Sequence, residues 1–246
     1  MDLSQGRGLD DGDFWQACGP ETRLGLPQAA RLLASATAAK AREGGHGGPG
    51  GLQKGGLRKE VLKVRSAHPD AEVEVWAQDE ARIGLKPILR RAWALRGDRP
   101  LAVHNPRYKW VYVFGFVRPD TGRVFSLLMP TVSTAVMSIC LEHFANEVGA
   151  SATRRIVLVL DGAGWHTAKD LVVPEGIDLV FQPPYSPELQ PSEQLWPLLH
   201  EPLANRNFVD LDELEDVLCE ACCGLEDDPE YLRSQTLFHW WSDAIR

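Results

Sequence analysis

From Gly55 onward the chain switches between stretches with a period of two and stretches with a helical period. In GLRKEVLKVRSAHP, Leu57, Val61 and Val64 recur on one helical face, and the element ends near His68–Pro69, because the residue before a proline avoids helical backbone. AEVEVWAQDE alternates Val73 and Val75 with Glu72, Glu74 and Trp76, which predicts a strand with Asp79 at its C-terminal end. KWVYVFGFVRP is a second strand, rich in aromatic and β-branched residues. PDTG is a turn, and RVFSLLMP is the partner strand of a hairpin. STAVMSICLEHFANEVG returns to the helical period, with Ser133 as N-cap.

In RRIVLVLDGAGWH the run IVLVL is continuously apolar, as in a strand buried on both faces, and it ends in Asp161. IDLVFQPP is a short strand. SPELQPSEQLWPLLHEPL opens a helix, with Pro191 near the first turn and Glu193 just inside. DLDELEDVLCEACC and PEYLRSQTLFHWW predict two further helices. The order of strand, hairpin, helix, strand, strand and helices mixes antiparallel with parallel pairing. It predicts an α/β fold, a mixed sheet flanked by helices. No G-x-G-x-x-G or P-loop follows a strand, so dinucleotide and ATP binding lose support.

Residues 1–54 have another texture. LPQAARLLASATAAKAREG fits a short alanine-rich helix, but six glycines and a proline within residues 44–52 disfavour any regular element. The expected organisation is therefore a flexible or degenerate arm over 1–54 and one catalytic-sized domain over 55–246. At 246 residues and 44% hydrophobic content the chain can bury a sizeable core, which excludes full disorder. No run of eighteen apolar residues is present, and MDLSQGRGLDDGDFW lacks the features of a secretory signal. A cytoplasmic protein without membrane contact is expected. Five cysteines fit reduced thiols, and Cys219, Cys222 and Cys223 fit small apolar positions on a helix better than a metal site.

The net charge of -8 conceals a division. Residues 156–246 carry 4 basic and 18 acidic residues, whereas 82–109 carry eight basic residues and one acid, Asp98. Arg82, Lys86, Arg90, Arg91, Arg96, Arg99, Arg107 and Lys109 suit either a solvated face or the neutralisation of phosphates.

Asp79 and Asp161 each end a hydrophobic strand, where ligands gather in open α/β sheets, and Glu193 begins a helix after the proline-rich loop FQPPYSPELQPSE. Were the first and fourth strands neighbours, the three carboxylates would meet. Three hard oxygen donors suit Mg²⁺ or Mn²⁺ rather than zinc. Spacing alone equally allows ordinary turn and cap roles for these acids.

The residues around the three acids narrow the choice. WAQDEARIG, LVLDGAGWHTAK and FQPPYSPELQPSEQLW resemble, in order, the three catalytic blocks of DDE transposases. The nearer likeness is to the bacterial insertion-sequence branch (the IS six-thirty family) of the mariner superfamily. It runs from about Gly55 to the C-terminus and includes RRAWALRGDRP and LANRNFVDLDELEDVL. The resemblance implies an RNase H-like catalytic domain in which Asp79, Asp161 and Glu193 are the catalytic residues and hold two Mg²⁺ (or Mn²⁺) ions. It implies DNA cleavage and strand transfer, with joining at TA dinucleotides. Double-stranded DNA, as transposon ends and target, is the expected partner, in an active complex that is a homo-oligomer. The backbone contacts would come from Arg82, Arg90, Arg91, Arg96, Arg107, Lys109 and Lys169.

The chain departs from the family pattern in two blocks. Gly162 stands where the second block usually has Asn, although Ala163 and His166 remain, and Gln190–Pro191 replaces Asn-Pro in the third. Gly162 removes an amide beside the acids. His166 would contact a phosphate or orient a metal-bound water, or else serve as a structural histidine near a helix start. Glu80 would point away from Asp79 and is excluded as a ligand. Trp76, Trp165 and Trp196 fit core packing better than base stacking. The family's helix-turn-helix DNA reader has no counterpart in 1–54, so a truncated or frameshifted copy is expected. The sequence leaves two functions open: a transposase catalytic domain, or a non-catalytic remnant that binds DNA or full-length transposase subunits. A general RNase H-like nuclease fits the proline-rich block less well.

Overall fold

The computed structural model describes residues 16–17, 56–91, 93–97, 107–183 and 186–245. The expectation for 1–54 lies outside these, except that Gln16–Ala17 form a short strand, β1, not anticipated from the sequence. After it come α1 (Gly56–Ala67), β2 (Glu72–Gly84), β3 (Trp110–Arg118), β4 (Arg123–Met129), α2 (Thr134–Val148), β5 (Arg154–Leu160) and β6 (Ile177–Phe181). Two 3-10 turns, Pro187–Leu189 and Pro191–Gln194, lead into α3 (Leu195–His200), α4 (Leu211–Glu226), α5 (Pro229–Thr236) and α6 (His239–Ile245). The sheet order is β1-β4-β3-β2-β5-β6.

Strand β2 organises the fold. Over Glu72–Ala77 it pairs in parallel with β5, and over Ala77–Gly84 it pairs antiparallel with β3. The β2–β3–β4 meander continued by parallel β5 and β6 is the RNase H-like mixed sheet expected from the sequence.

Alternation along the strands divides the core into two layers. Trp76 of β2 and Ile156, Leu158 and Leu160 of β5 face α2, whose Phe144 stacks on Phe116 at 4.3 Å. Val75 and Ala77, with Val157 and Val159, face the layer of α1, α3, α4 and α6. The unbroken IVLVL is thus explained, because both faces of β5 are covered. Helix α2 starts where expected, with the Ser133 side chain accepting from Val136 N, and ends at Gly149 in left-handed backbone (φ 68).

Three boundaries differ from expectation. Strand β2 does not stop near Asp79 but continues to Gly84, because β3 offers it partners after β5 has ended. Glu193 lies in a 3-10 turn rather than inside an α-helix; Pro187 opens one such turn and Pro191 opens a second after the first has closed. The last predicted helix is two: Leu237 leaves helical backbone (ψ 89), which lets α6 turn and bury Trp241.

Candidate active site

The parallel register of β2 with β5 decides where the first two acids sit. The last pair is Ala77 with Val159. Asp79 and Asp161 each lie two residues beyond that pair, one within β2 and the other just after β5. The two blocks therefore emerge side by side, as expected if these strands were neighbours.

The third block is brought in from β3. Asp79 lies opposite Gly115, and a Cβ built on Gly115 would fall 2.9 Å from Leu195 Cδ1 and 3.0 Å from Trp196 Cη2. Glycine here is what admits α3 against the sheet. Trp196 Nε1 then donates to Asp79 Oδ2 at 2.9 Å. Gln190 Nε2 donates to the backbone oxygen of Gln78 at 2.7 Å, fastening the turn that carries Glu193 to β2.

The second block is fastened on the opposite face of β2. Asp161 Oδ1 accepts from Ala163 N at 3.0 Å and lies 2.8 Å from His166 Nδ1. His166 Nε2 lies 2.8 Å from Glu80 Oε1, which also accepts from Trp165 Nε1 at 3.2 Å. Glu80 thus points away from Asp79, as strand alternation requires, but it has a partner that the sequence did not reveal. His166 is fully buried, which removes direct contact with a phosphate as its role in this conformation. Burial disfavours the imidazolium, but hydrogen bonds to Asp161 and Glu80 outweigh it and lift the pKa to about 9. The ring is charged at neutral pH and donates from both nitrogens.

The carboxylates are electrostatic neighbours. Burial raises Asp79 to about 7; Glu193 and Glu80 add to the rise and the Trp196 indole opposes it. Burial, then the charge of Asp161, raises Glu193. The hydrogen bond from His166 is the main cause that holds Asp161 below the ordinary carboxylate range. The donors are hard oxygens crowded at one end of the sheet, with His166 already committed to Asp161 and Glu80. That donor chemistry fits a divalent cation. The spacing is open: among the described residues, no three His, Cys, Asp or Glu side chains converge closely enough to hold an ion as they stand.

The basic segment beside the site is exposed at Arg82, Arg90, Arg91, Arg96, Arg107 and Lys109, as is Lys169 on the second block. Arg82 lies over the Trp110 ring at 5.0 Å, and Arg90 pairs with Glu201 at 2.6 Å. Arg107 donates to the Val209 carbonyl. Arg99 falls outside the described residues. Trp76 and Trp196 are core residues and Trp165 packs against the core, as expected, and Trp165 and Trp196 also each direct an indole N–H at a carboxylate of the site. A Cβ on Gly162 would meet nothing within 4 Å, so the missing side chain faces open space. Cys222 is buried in the core of α4.

The family model of the DDE superfamily endonuclease matches residues 74–215, more than half of the chain and all three acids. An uncharacterized protein of Sinorhizobium fredii is 40% identical over 134 residues, 53% of this chain and 96% of that protein. An uncharacterized 39 kDa protein of insertion element IS630 from Shigella sonnei is 25% identical over 165 residues, 60% of this chain. The chain spans about half of that relative, 48% of its length. Among solved structures, the Mos1 strand transfer complex is 18% identical, covering 89% of this chain and 69% of that one, with a TM-score of 0.49. No helix among the described residues is long and apolar enough to cross a membrane. The chain belongs to the DDE superfamily endonucleases.

Proposed function

We propose that the chain is a transposase catalytic domain that performs metal-dependent DNA cleavage and strand transfer. The observation that carries this is the shared register of Asp79 and Asp161 at one end of the β2–β5 pair, with the turn that carries Glu193 fastened to β2 through Gln190. Asp79, Asp161 and Glu193 would hold Mg²⁺ or Mn²⁺, two ions in the full site. Such ions, when bound, lower the pKa of an attacking water or 3′-hydroxyl and neutralise charge on the leaving oxygen.

The protein's own part is positional. Trp196 and His166 orient the two aspartates from opposite faces of β2. The exposed Arg82, Arg91, Arg96, Lys109 and Lys169 hold the phosphate backbone through contacts that carry no base information. Arg90 and Arg107 join them by exchanging their present protein partners for phosphate. Sequence-specific recognition of transposon ends belongs to a separate reader or to other subunits of a homo-oligomeric complex. Joining at TA targets follows from the family likeness.

The test is Mn²⁺-dependent nicking of supercoiled plasmid by the purified chain beside Asp161→Ala. Nicking by the parent that is lost in the variant is the expected result. A folded parent that never nicks would overturn the catalytic reading. It would favour the second one, a DNA-binding or subunit-binding remnant, to which Gly162 in place of the family's Asn gives its support.

A further inference from the structure

Glu80 and His166 form a support outside the three acids. His166 is fully buried, and each ring nitrogen lies 2.8 Å from a different carboxylate, Nδ1 from Asp161 and Nε2 from Glu80. Glu80 is held in turn by the Trp165 indole at 3.2 Å. Glu80 sits on β2, immediately after Asp79 and on the other face. The bridge therefore ties the loop carrying Asp161 to the strand carrying Asp79. Nothing else among the described side-chain hydrogen bonds joins Asp161 to β2. At Gly162, next to Asp161, the chain has no side chain to stiffen this loop, and the space there is empty.

We propose that His166 is a positioning residue, anchored by Glu80, that fixes the Asp161 carboxylate for cation binding. This rests on the proposed function. One oxygen, Oδ1, is fixed by His166 Nδ1 and Ala163 N, which sets the direction in which the other oxygen faces. Partners of this kind commonly change metal affinity by about 10–100-fold when removed.

Two substitutions separate positioning from bulk structure. His166→Asn places an amide near Nδ1 and keeps a donor for Asp161. His166→Gln places an amide near Nε2 and keeps a donor for Glu80 alone. Both leave a smaller ring-shaped gap and should lose similar thermal stability. Mn²⁺ affinity, read from the free-ion signal in electron paramagnetic resonance, should fall about tenfold or more in His166→Gln and about threefold or less in His166→Asn. Plasmid nicking should follow the same order. Glu80→Gln, which keeps an acceptor for His166 and Trp165, is the milder variant if either His166 variant fails to fold, and should weaken Mn²⁺ binding less than His166→Gln does. Equal losses of Mn²⁺ affinity in the two His166 variants, in step with their melting temperatures, would overturn the positioning role. If only Glu80→Gln folds, Mn²⁺ affinity weakened by less than about tenfold supports the anchor, and either unchanged affinity or a loss as large as that of Asp161→Ala overturns it. Absence of Mn²⁺ binding by the parent chain would instead count against the proposed function.

Discussion

Strand β2 carries a buried carboxylate near its start and a half-buried one past its middle, and the two are treated oppositely. Near its start, Glu74 is 1% exposed and accepts from the Trp76 indole at 2.8 Å, from Arg154 Nε at 3.0 Å and from Arg118 Nη1 at 3.0 Å. Burial alone would raise its pKa, but Trp76, Arg154 and Arg118 together bring it below the ordinary value. Five residues on, Asp79 has an indole too, from Trp196, yet its charged neighbours are Glu193 and Glu80, and its pKa rises to about 7. The same strand thus carries one acid that the fold has neutralised and one that it has left in excess. A buried acid supplied with arginines is a fastening. A half-buried acid facing other acids is a demand for a cation from outside the chain.

The contrast can be broken most strongly at the first end. Glu74→Gln leaves Arg118 and Arg154 without their shared charge and should destabilise the domain by about 3 kcal/mol in urea unfolding. Asp79→Asn should do the reverse with a smaller magnitude. In chelator at neutral pH it should stabilise by about 1 kcal/mol, a value discounted for the partial exposure of the site, while abolishing any Mn²⁺-dependent nicking.

The pH dependence sharpens the same comparison. The folded pKa of Asp79 is raised, so its unfavourable contribution is absent below the ordinary value of 3.8 and complete above about 7. Its share of stability should decline across that window and disappear from the pH profile of Asp79→Asn. Glu74 is lowered, so its contribution is present above its ordinary value and lost as pH falls through the folded one. The smallest effect is expected at Gly162→Asn. Its side chain enters open space, so the melting temperature should stay within a degree or two, about 0.5 kcal/mol or less.

How much of this was legible in the chain depended on the range of the interaction involved. IVLVL and the β3–β4 hairpin could be read because burial on both faces and a PDTG turn are local properties. The acids of the three blocks could be read because each lies in a distinctive local setting. The extension of β2 to Gly84 could not, since it exists only because β3 pairs there, 26 residues later at Trp110. Glu80 was rightly placed on the face away from Asp79, but its partner lies 86 residues away in a loop. Trp196 looked like packing because an indole is mostly apolar surface, and its one donor finds Asp79 only after α3 has docked.

Gly115 has a consequence for how such a protein decays. A methyl group there would crowd Leu195 Cδ1 and Trp196 Cη2, and both side chains would have to give way. Disarmament therefore needs no change at an acid. A single base substitution in a hydrophobic strand would push on the Trp196 indole that donates to Asp79, while every charged residue stayed in the gene. A relative could keep all of its acids and still be impaired through this one position.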